Sequence, residues 1–290
     1  MAGIKYIRHK HIDMAAWDAC ILSSCRPLVY GSACYLNAIC EQWDALVYGN
    51  YEAVFPLPVK RKWGIMVVYQ PFFCQQLGLF APKDFPYGYS DFLNAIPRRF
   101  FRLRIQLNPS FVLPSGIVKR SNLLLDLNRP YDSVAAGYNA DARKNLRKCV
   151  DAGILVETCR DFDAAVLLYK SIWGPLNPVL KENHYTAFLH ACKALEKEEK
   201  AICFRACHGE NVLAYAIFLI SPNYLHYVCA APTFEGRKVG VMHTLIDHVV
   251  KTFAGNKLHL DFEGSEIPEV AAFYRKFGAV EEQYGVFSRG

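Results

Sequence analysis

Between Ala201 and Ala231 three apolar runs of strand length follow one another: AICFRAC, VLAYAIFLI and YLHYVCAA. The connections between them, His208-Gly209-Glu210-Asn211 and Ser221-Pro222-Asn223, are both turn-like, so the three runs predict an antiparallel meander. The meander empties into AAPTFEGRKVGVMHTLI, read as a loop with two glycines, Gly236 and Gly240, that runs directly into a helix. Met242, Leu245, Ile246, Val249, Val250 and Phe253 mark one face of that helix, and Gly255 stops it.

The elements on either side complete a unit. AGILVETC (Ala152 to Cys159) reads as a strand, and DFDAAVLLYKSIW as a helix with Asp161 as its N-cap. HYTAFLHACKALEKEEK predicts a second helix. KLHLDFEG is mostly apolar and reads as a central strand. A last helix opens near Pro268-Glu269 and closes at Gly278, and AVEEQYGVFS returns as a strand. The first half repeats this order in outline: a helix over Cys34 to Trp43, the strands DALVYG, EAVFPLPV and IMVVYQ, a short helix over Ser90 to Ile96, and the strand FRLRIQL. The expected fold class is α/β with mixed sheets, as two related domains, 1–125 and 126–290, joined between about Leu113 and Tyr138. One large mixed sheet is the alternative.

Composition excludes several classes. With 52% hydrophobic and 21% charged residues in 290, the chain has ample core material and is neither fibrous nor disordered. The start, MAGIKYIRHKHIDMAAWD, carries charges where a signal peptide needs an apolar core, and no apolar run is long enough to span a bilayer. The 11 cysteines lie singly in apolar segments with no C-x-x-C pair, which reads as reduced core residues of a cytoplasmic protein. Neither they nor the 9 histidines fall into a metal-ligand spacing, so no metal is expected. The net charge of +6 is compatible with a phosphate-bearing or acidic partner without identifying one.

Three groups of residues suit chemistry. Gly236, Arg237, Lys238, Val239, Gly240 and Val241 would put backbone amides, a helix dipole and two cations beside a phosphate; a plain strand-to-helix connection is the other reading. Asp261 and Glu263 alternate along one strand face, where one carboxylate would act as base toward an amine; an ion pair with Arg275 or Lys276 competes. Arg143, Lys144, Arg147 and Lys148 cluster on one side of a helix and would hold a phosphate or an RNA backbone, or simply face solvent. Lys60, Arg61, Lys62 and Trp63 form a basic turn that would meet an acidic substrate or be solvated.

The order of meander, Arg-x-x-Gly segment, helix, strand and FYRKFGA helix resembles the GCN5-related N-acetyltransferase (GNAT) fold. The resemblance implies that Arg237 to Met242 wraps a coenzyme A pyrophosphate, although Met242 stands where the family prefers a small residue. It also implies that Tyr274, in Tyr274-x-Lys276-x-Gly278, protonates a departing thiolate. YNADARKNLRKCVDAGILVE and LDFEGSEIPEVAAFYRKFGAV, with LVYGNYEAVFPLPVKRKWG and YQPFFCQQLGLF, extend the likeness over nearly the whole chain. Two tandem GNAT-like acyl-CoA N-acyltransferase domains of this kind are similar to the mostly bacterial Fem family.

The implied activity is transfer of an acyl group from acyl-CoA, acetyl or longer, to a primary amine on a small molecule or peptide. The alternatives are aminoacyl transfer from tRNA to a peptide or cell-wall precursor, and a catalytically inactive binding module.

Overall fold

The computed structural model describes residues 3–62, 64–263 and 266–290. Contacts divide the chain into two compact units, Met1–Ser121 with Gln283–Gly290, and Asn122–Glu282.

The first unit contains β1 (Ile4–Ile7), α1 (Met14–Ser23), α2 (Ala33–Ile39), β2 (Trp43–Tyr48), β3 (Ala53–Lys62), β4 (Ile65–Val68), α3 (Tyr89–Ala95) and β5 (Arg102–Leu107). Asp13 starts α1 by accepting the amides of Ala15 and Ala16. The helix expected over Cys34 to Trp43 ends at Ile39, and Trp43 instead opens β2, where it packs 4.8 Å from Trp17 between ring centroids. Strands β1 to β4 pair antiparallel, and β4 then pairs parallel with β5.

The second unit contains β6 (Val118–Asp126, from Asn122 on), α4 (Tyr131–Ala135), α5 (Ala140–Asp151), β7 (Leu155–Cys159), α6 (Phe162–Trp173), α7 (Glu182–Glu196), β8 (Ala201–His208), β9 (Asn211–Ser221), β10 (Tyr224–Pro232), α8 (Phe234–Val239), α9 (Val241–Phe253), β11 (His259–Asp261) and α10 (Pro268–Arg275). Asp161 caps α6 through Ala164 N, the role its sequence position predicts. Its strand order is β7-β8-β9-β10-β11-β6, with only β10 and β11 parallel. Leu245, Ile246, Val249 and Val250 of α9 pack on one face, against Phe204, Ala216, Phe218 and Leu225. Helices α6 and α7 cover the other face, with Phe162, Phe188, Cys192 and Leu195 buried.

The last strand, β12 (Val280–Arg289), completes the first unit rather than the second. From Gly285 to Arg289 it pairs antiparallel with β5, giving the order β1-β2-β3-β4-β5-β12. Each unit is therefore three antiparallel pairings, one parallel pairing and a sixth, antiparallel strand. In both units that sixth strand is the one chain order would assign to the other repeat. Among the described residues no helix is long and apolar enough to cross a membrane.

Candidate active site

Strands β10 and β11 run side by side for three residues only, Tyr224 to His226 against His259 to Asp261. Beyond that point β10 stays on β9 as far as Pro232, while Phe262 turns to the β6 side through a bond from its amide to Leu123 O. Rings occupy the parting: Tyr227 and Phe262 meet at 6.1 Å, and Tyr274 of α10 stacks on Phe262 at 4.4 Å and 16°. One residue further along β10 the register with β9 slips. Tyr227 faces Phe218 and Cys229 faces Ile217, which leaves Val228 without an opposite number, a bulge.

The last paired position carries the polar groups. His226 and Asp261 are opposite each other and buried, with Nδ1 3.3 Å from Asp261 Oδ2. The Asp261 carboxylate also accepts from Asn122 Nδ2 at 2.9 Å and from the Glu263 amide at 3.0 Å. Burial pushes this carboxyl up, but the bonds from His226, Asn122 and Glu263 outweigh it and hold the group below its ordinary value. On the other side of the ring, Nε2 lies 2.8 Å from Ser221 Oγ. The imidazole thus lies between the Asp261 carboxylate and the Ser221 hydroxyl.

Glu263 lies just beyond the strand with φ 46°, a left-handed conformation uncommon outside glycine. That turn brings its Oε1 to 3.7 Å from His226 Nδ1, so the two carboxyls predicted to share a strand face converge instead on one imidazole. The Glu263 side chain is 13% exposed and its Oε1 makes no hydrogen bond. Burial raises its pKa from 4.5 to about 8. The Tyr274 phenol is pushed up as well, first by burial and then by the Glu263 charge, so it stays protonated. The competing ion pairs form elsewhere: Arg275 bonds Glu281 at 3.3 Å and Lys276 bonds Asp141 at 2.6 Å.

The segment read as a glycine loop is mostly helical. Gly236, Arg237, Lys238 and Val239 lie in α8, Gly240 is a left-handed break at φ 74°, and Val241 begins α9. Thr233 caps α8 and takes the Gly236 amide at 3.1 Å. A Cβ on Gly236 would collide with the Leu213 carbonyl oxygen of β9, so this glycine serves helix-to-sheet contact. Arg237 lies 5.2 Å from the Trp173 ring, whose indole nitrogen donates to Ala230 O of β10 at 2.9 Å. Gly240 has no side chain to cap α9. Met242 packs against the core.

On α5, Lys144, Arg147 and Lys148 are exposed, and Arg143 donates to Ala136 O at 2.8 Å. Lys60 lies in β3 of the first unit with its ammonium 4.2 Å from the Tyr69 ring; Trp63 lies outside the described residues. No group of three or more metal-ligating side chains occurs among the described residues.

Sequence reasoning missed His226, Asn122, Ser221 and His243. The first had a signal, a lone histidine amid the apolar YLHYVC, but its partner follows only from the parallel register. His243 donates from Nδ1 to Gly240 O at 3.0 Å, and burial lowers its pKa, so the neutral ring pins the start of α9.

Residues 137–266 match the family model of the GNAT acetyltransferase domain. By sequence, no curated protein matches the chain. Among solved structures the fold is similar to FemX, with 13% identity over 97% of this chain and 96% of that one and a TM-score of 0.69. A tandem GNAT protein from the clavulanic acid biosynthesis pathway aligns at 15% identity over 98% and 97%, with a TM-score of 0.56. L-PGS from Bacillus licheniformis aligns at 11% over 96% and 91%, also at 0.56. The whole chain thus shares the fold of these solved structures. The likeness to the GNAT acetyltransferase domain lies in residues 137–266, and over the whole chain the fold is similar to that of FemX and of a tandem GNAT protein.

Proposed function

We propose that this chain is an N-acyltransferase that moves an acyl group, acetyl or longer, from a coenzyme A thioester to the primary amine of a small molecule or peptide. The parting of β10 from β11 beside Glu263 and Tyr274 is the observation that supports this most. Residue by residue, the groups there suit direct transfer.

A base must take a proton from the ammonium before the nitrogen attacks, and Glu263, with its pKa near 8, is matched to that task around neutral pH. The new C–N bond forms as the C–S bond breaks. Tyr274, kept protonated by burial, gives its phenolic proton to the departing thiolate. The Val228 amide, at the bulge in β10, is the donor for the developing oxyanion. His226 and Asp261 hold Glu263 in place from below.

Coenzyme A fits these residues in part. The uncapped start of α9, with Arg237 and Lys238 of α8, would hold a pyrophosphate, whereas Gly236 is committed to packing. The thioester supplies the acyl group.

Incubation with acetyl-CoA, longer acyl-CoAs and a panel of amines, read by chromatography of acylated product and by thermal shift, tests the proposal. Stabilisation and product formation that is lost in Tyr274→Phe support it. No stabilisation by any acyl-CoA and no product would overturn it and leave the binding module. A second reading, aminoacyl transfer from tRNA, draws on the exposed basic face of α5. Binding of charged tRNA that weakens steeply with salt and is lost on reversing Lys144 and Arg147 favours it.

A further inference from the structure

Cys159 and Cys203 stand directly opposite each other on the antiparallel strands β7 and β8. Opposed residues in such a ladder have Cα atoms about 4.5 or 5.5 Å apart, inside the roughly 4.4–6.8 Å range that a disulfide bridges. Their side chains share one face of the sheet, and the Cys203 thiol lies 3.9 Å from Phe204 O, to which it donates. The register removes the rival partners. Cys229 faces Ile217, which in turn faces Cys203, so Cys229 is two strand spacings away, about 9–10 Å. Cys207 is opposite Leu155.

The surroundings separate the two thiols. The neighbouring Cys203 thiol, the Asp161 amide at the start of α6 and the field of Arg205 together lower the Cys159 pKa to about 7. Cys203, buried beside the Cys159 thiol, is pushed the other way. Cys159 lies on β7, at the end of the strand order, where edge opening is easiest. A cavity of about 320 Å³ adjoins the pair, lined by Cys159, Cys203, Thr158, Arg160, Phe162 and Glu196. Arg160, its side chain 90% exposed, spans to Glu196 at 3.1 Å.

We propose that Cys159 and Cys203 form a dithiol modification site that exchanges with small disulfides, Cys159 attacking and Cys203 resolving. The Cys159 thiolate attacks one sulfur of the reagent, the reagent's S–S bond breaks, and one reagent thiolate leaves and takes a proton. Cys203 then loses its proton to solvent and attacks the Cys159 sulfur of the mixed disulfide, expelling the second reagent thiol. Two protein thiols are oxidised and one reagent disulfide is reduced to two thiols. The product ties the edge strand β7 to β8.

Glutathione disulfide is the probe. After incubation, alkylation and peptide mapping, the expected product is a cross-link between the peptides bearing Cys159 and Cys203, while the exposed Cys25 forms only a mixed disulfide. Cys203→Ser is expected to trap glutathione on Cys159, and Cys159→Ser to leave Cys203 reduced. A fold-independent check uses the unaltered protein: phenylarsine oxide, which bridges paired thiols, is expected to protect Cys159 and Cys203 together from alkylation. Both cysteines remaining reduced while Cys25 is modified, or unprotected by the arsenical, would overturn the proposal.

Discussion

His226 and Asp261 meet at 3.3 Å across the last residue pair that β10 and β11 share. The contact sits where the sheet divides, and three further groups, Ser221, Asn122 and the Glu263 amide, are bonded to one or other partner. Asp261→Asn keeps the shape and, with its oxygen on the Asn122 and Glu263 donors, turns an NH2 group toward the Nδ1 of His226. Leaving buried donors unsatisfied costs about 2–4 kcal/mol, expected as a lower urea midpoint. Because the native carboxyl is held below its ordinary 3.8, its contribution is present above that pH and is lost as pH falls through the lowered value. Asp261→Asn is therefore expected to differ least from the parent in acid.

Glu263 carries the opposite sign. The folded protein keeps a proton on it up to about pH 8, whereas the unfolded chain releases that proton near 4.5. Raising the pH through this window therefore favours the unfolded chain. Glu263→Gln is expected to be more stable than the parent above pH 5, by a margin that grows to pH 8 and is on the order of 5 kcal/mol at most. Turnover is expected to rise with pH to a limb near 8 in the parent, and that limb to vanish in the variant. Equal denaturation midpoints for the two proteins at pH 8 would remove the buried-acid reading.

Tyr274→Phe separates packing from chemistry. The ring stacks on Phe262 at 4.4 Å and loses only its hydroxyl, so stability is expected to change by less than about 1 kcal/mol. Turnover is expected to fall by roughly 10²–10⁴, the range for removal of a general acid, with KM for the amine little changed. Retained turnover assigns the proton to another donor.

Gly236→Ala places a Cβ against the Leu213 carbonyl oxygen, backbone that has no rotamer to yield. Displacing α8 from β9 is expected to cost about 1–3 kcal/mol and to loosen the Arg237–Trp173 stack, visible as a change in tryptophan fluorescence. An unchanged melting temperature would contradict the packing role.

Periodicity and turn residues made most elements legible, because burying a helix stripe or a strand face needs apolar residues at fixed intervals. Asp161, the α9 stripe and the meander are all of this kind. Glu263 and Asp261 were legible as a pair, but His226 was not, since its partner lies on a strand 33 or more residues later and register is a tertiary property. The same holds for Gly236: glycine before a helix reads equally as a ligand cradle or as close packing, and only Leu213 decides between them. The strand β6 fell within the stretch taken as a joint, because its polar and partly exposed start, Val118 to Ser121, hides the apolar Leu123 to Leu125 that follow.

Removal of residues 283–290 tests which unit the last strand supports. Gly285 to Arg289 pair with β5, Tyr284 and Val286 are buried, and Gly285 lies so close to Leu113 that a Cβ would stand 2.7 Å from it. Sequence order attaches this strand to the second repeat, yet its ladder bonds belong to the first unit. Without it β5 becomes an unpaired edge, with Leu103, Ile105 and Leu107 less covered. Amide hydrogen exchange is expected to show β2, β3 and β5 losing protection by tenfold or more, about 1.4 kcal/mol, while β8, β9 and β10 keep theirs. If β8 to β10 lose protection first, the strand's contribution lies with the second unit, and the division of the chain at Ser121 and Gln283 fails with it.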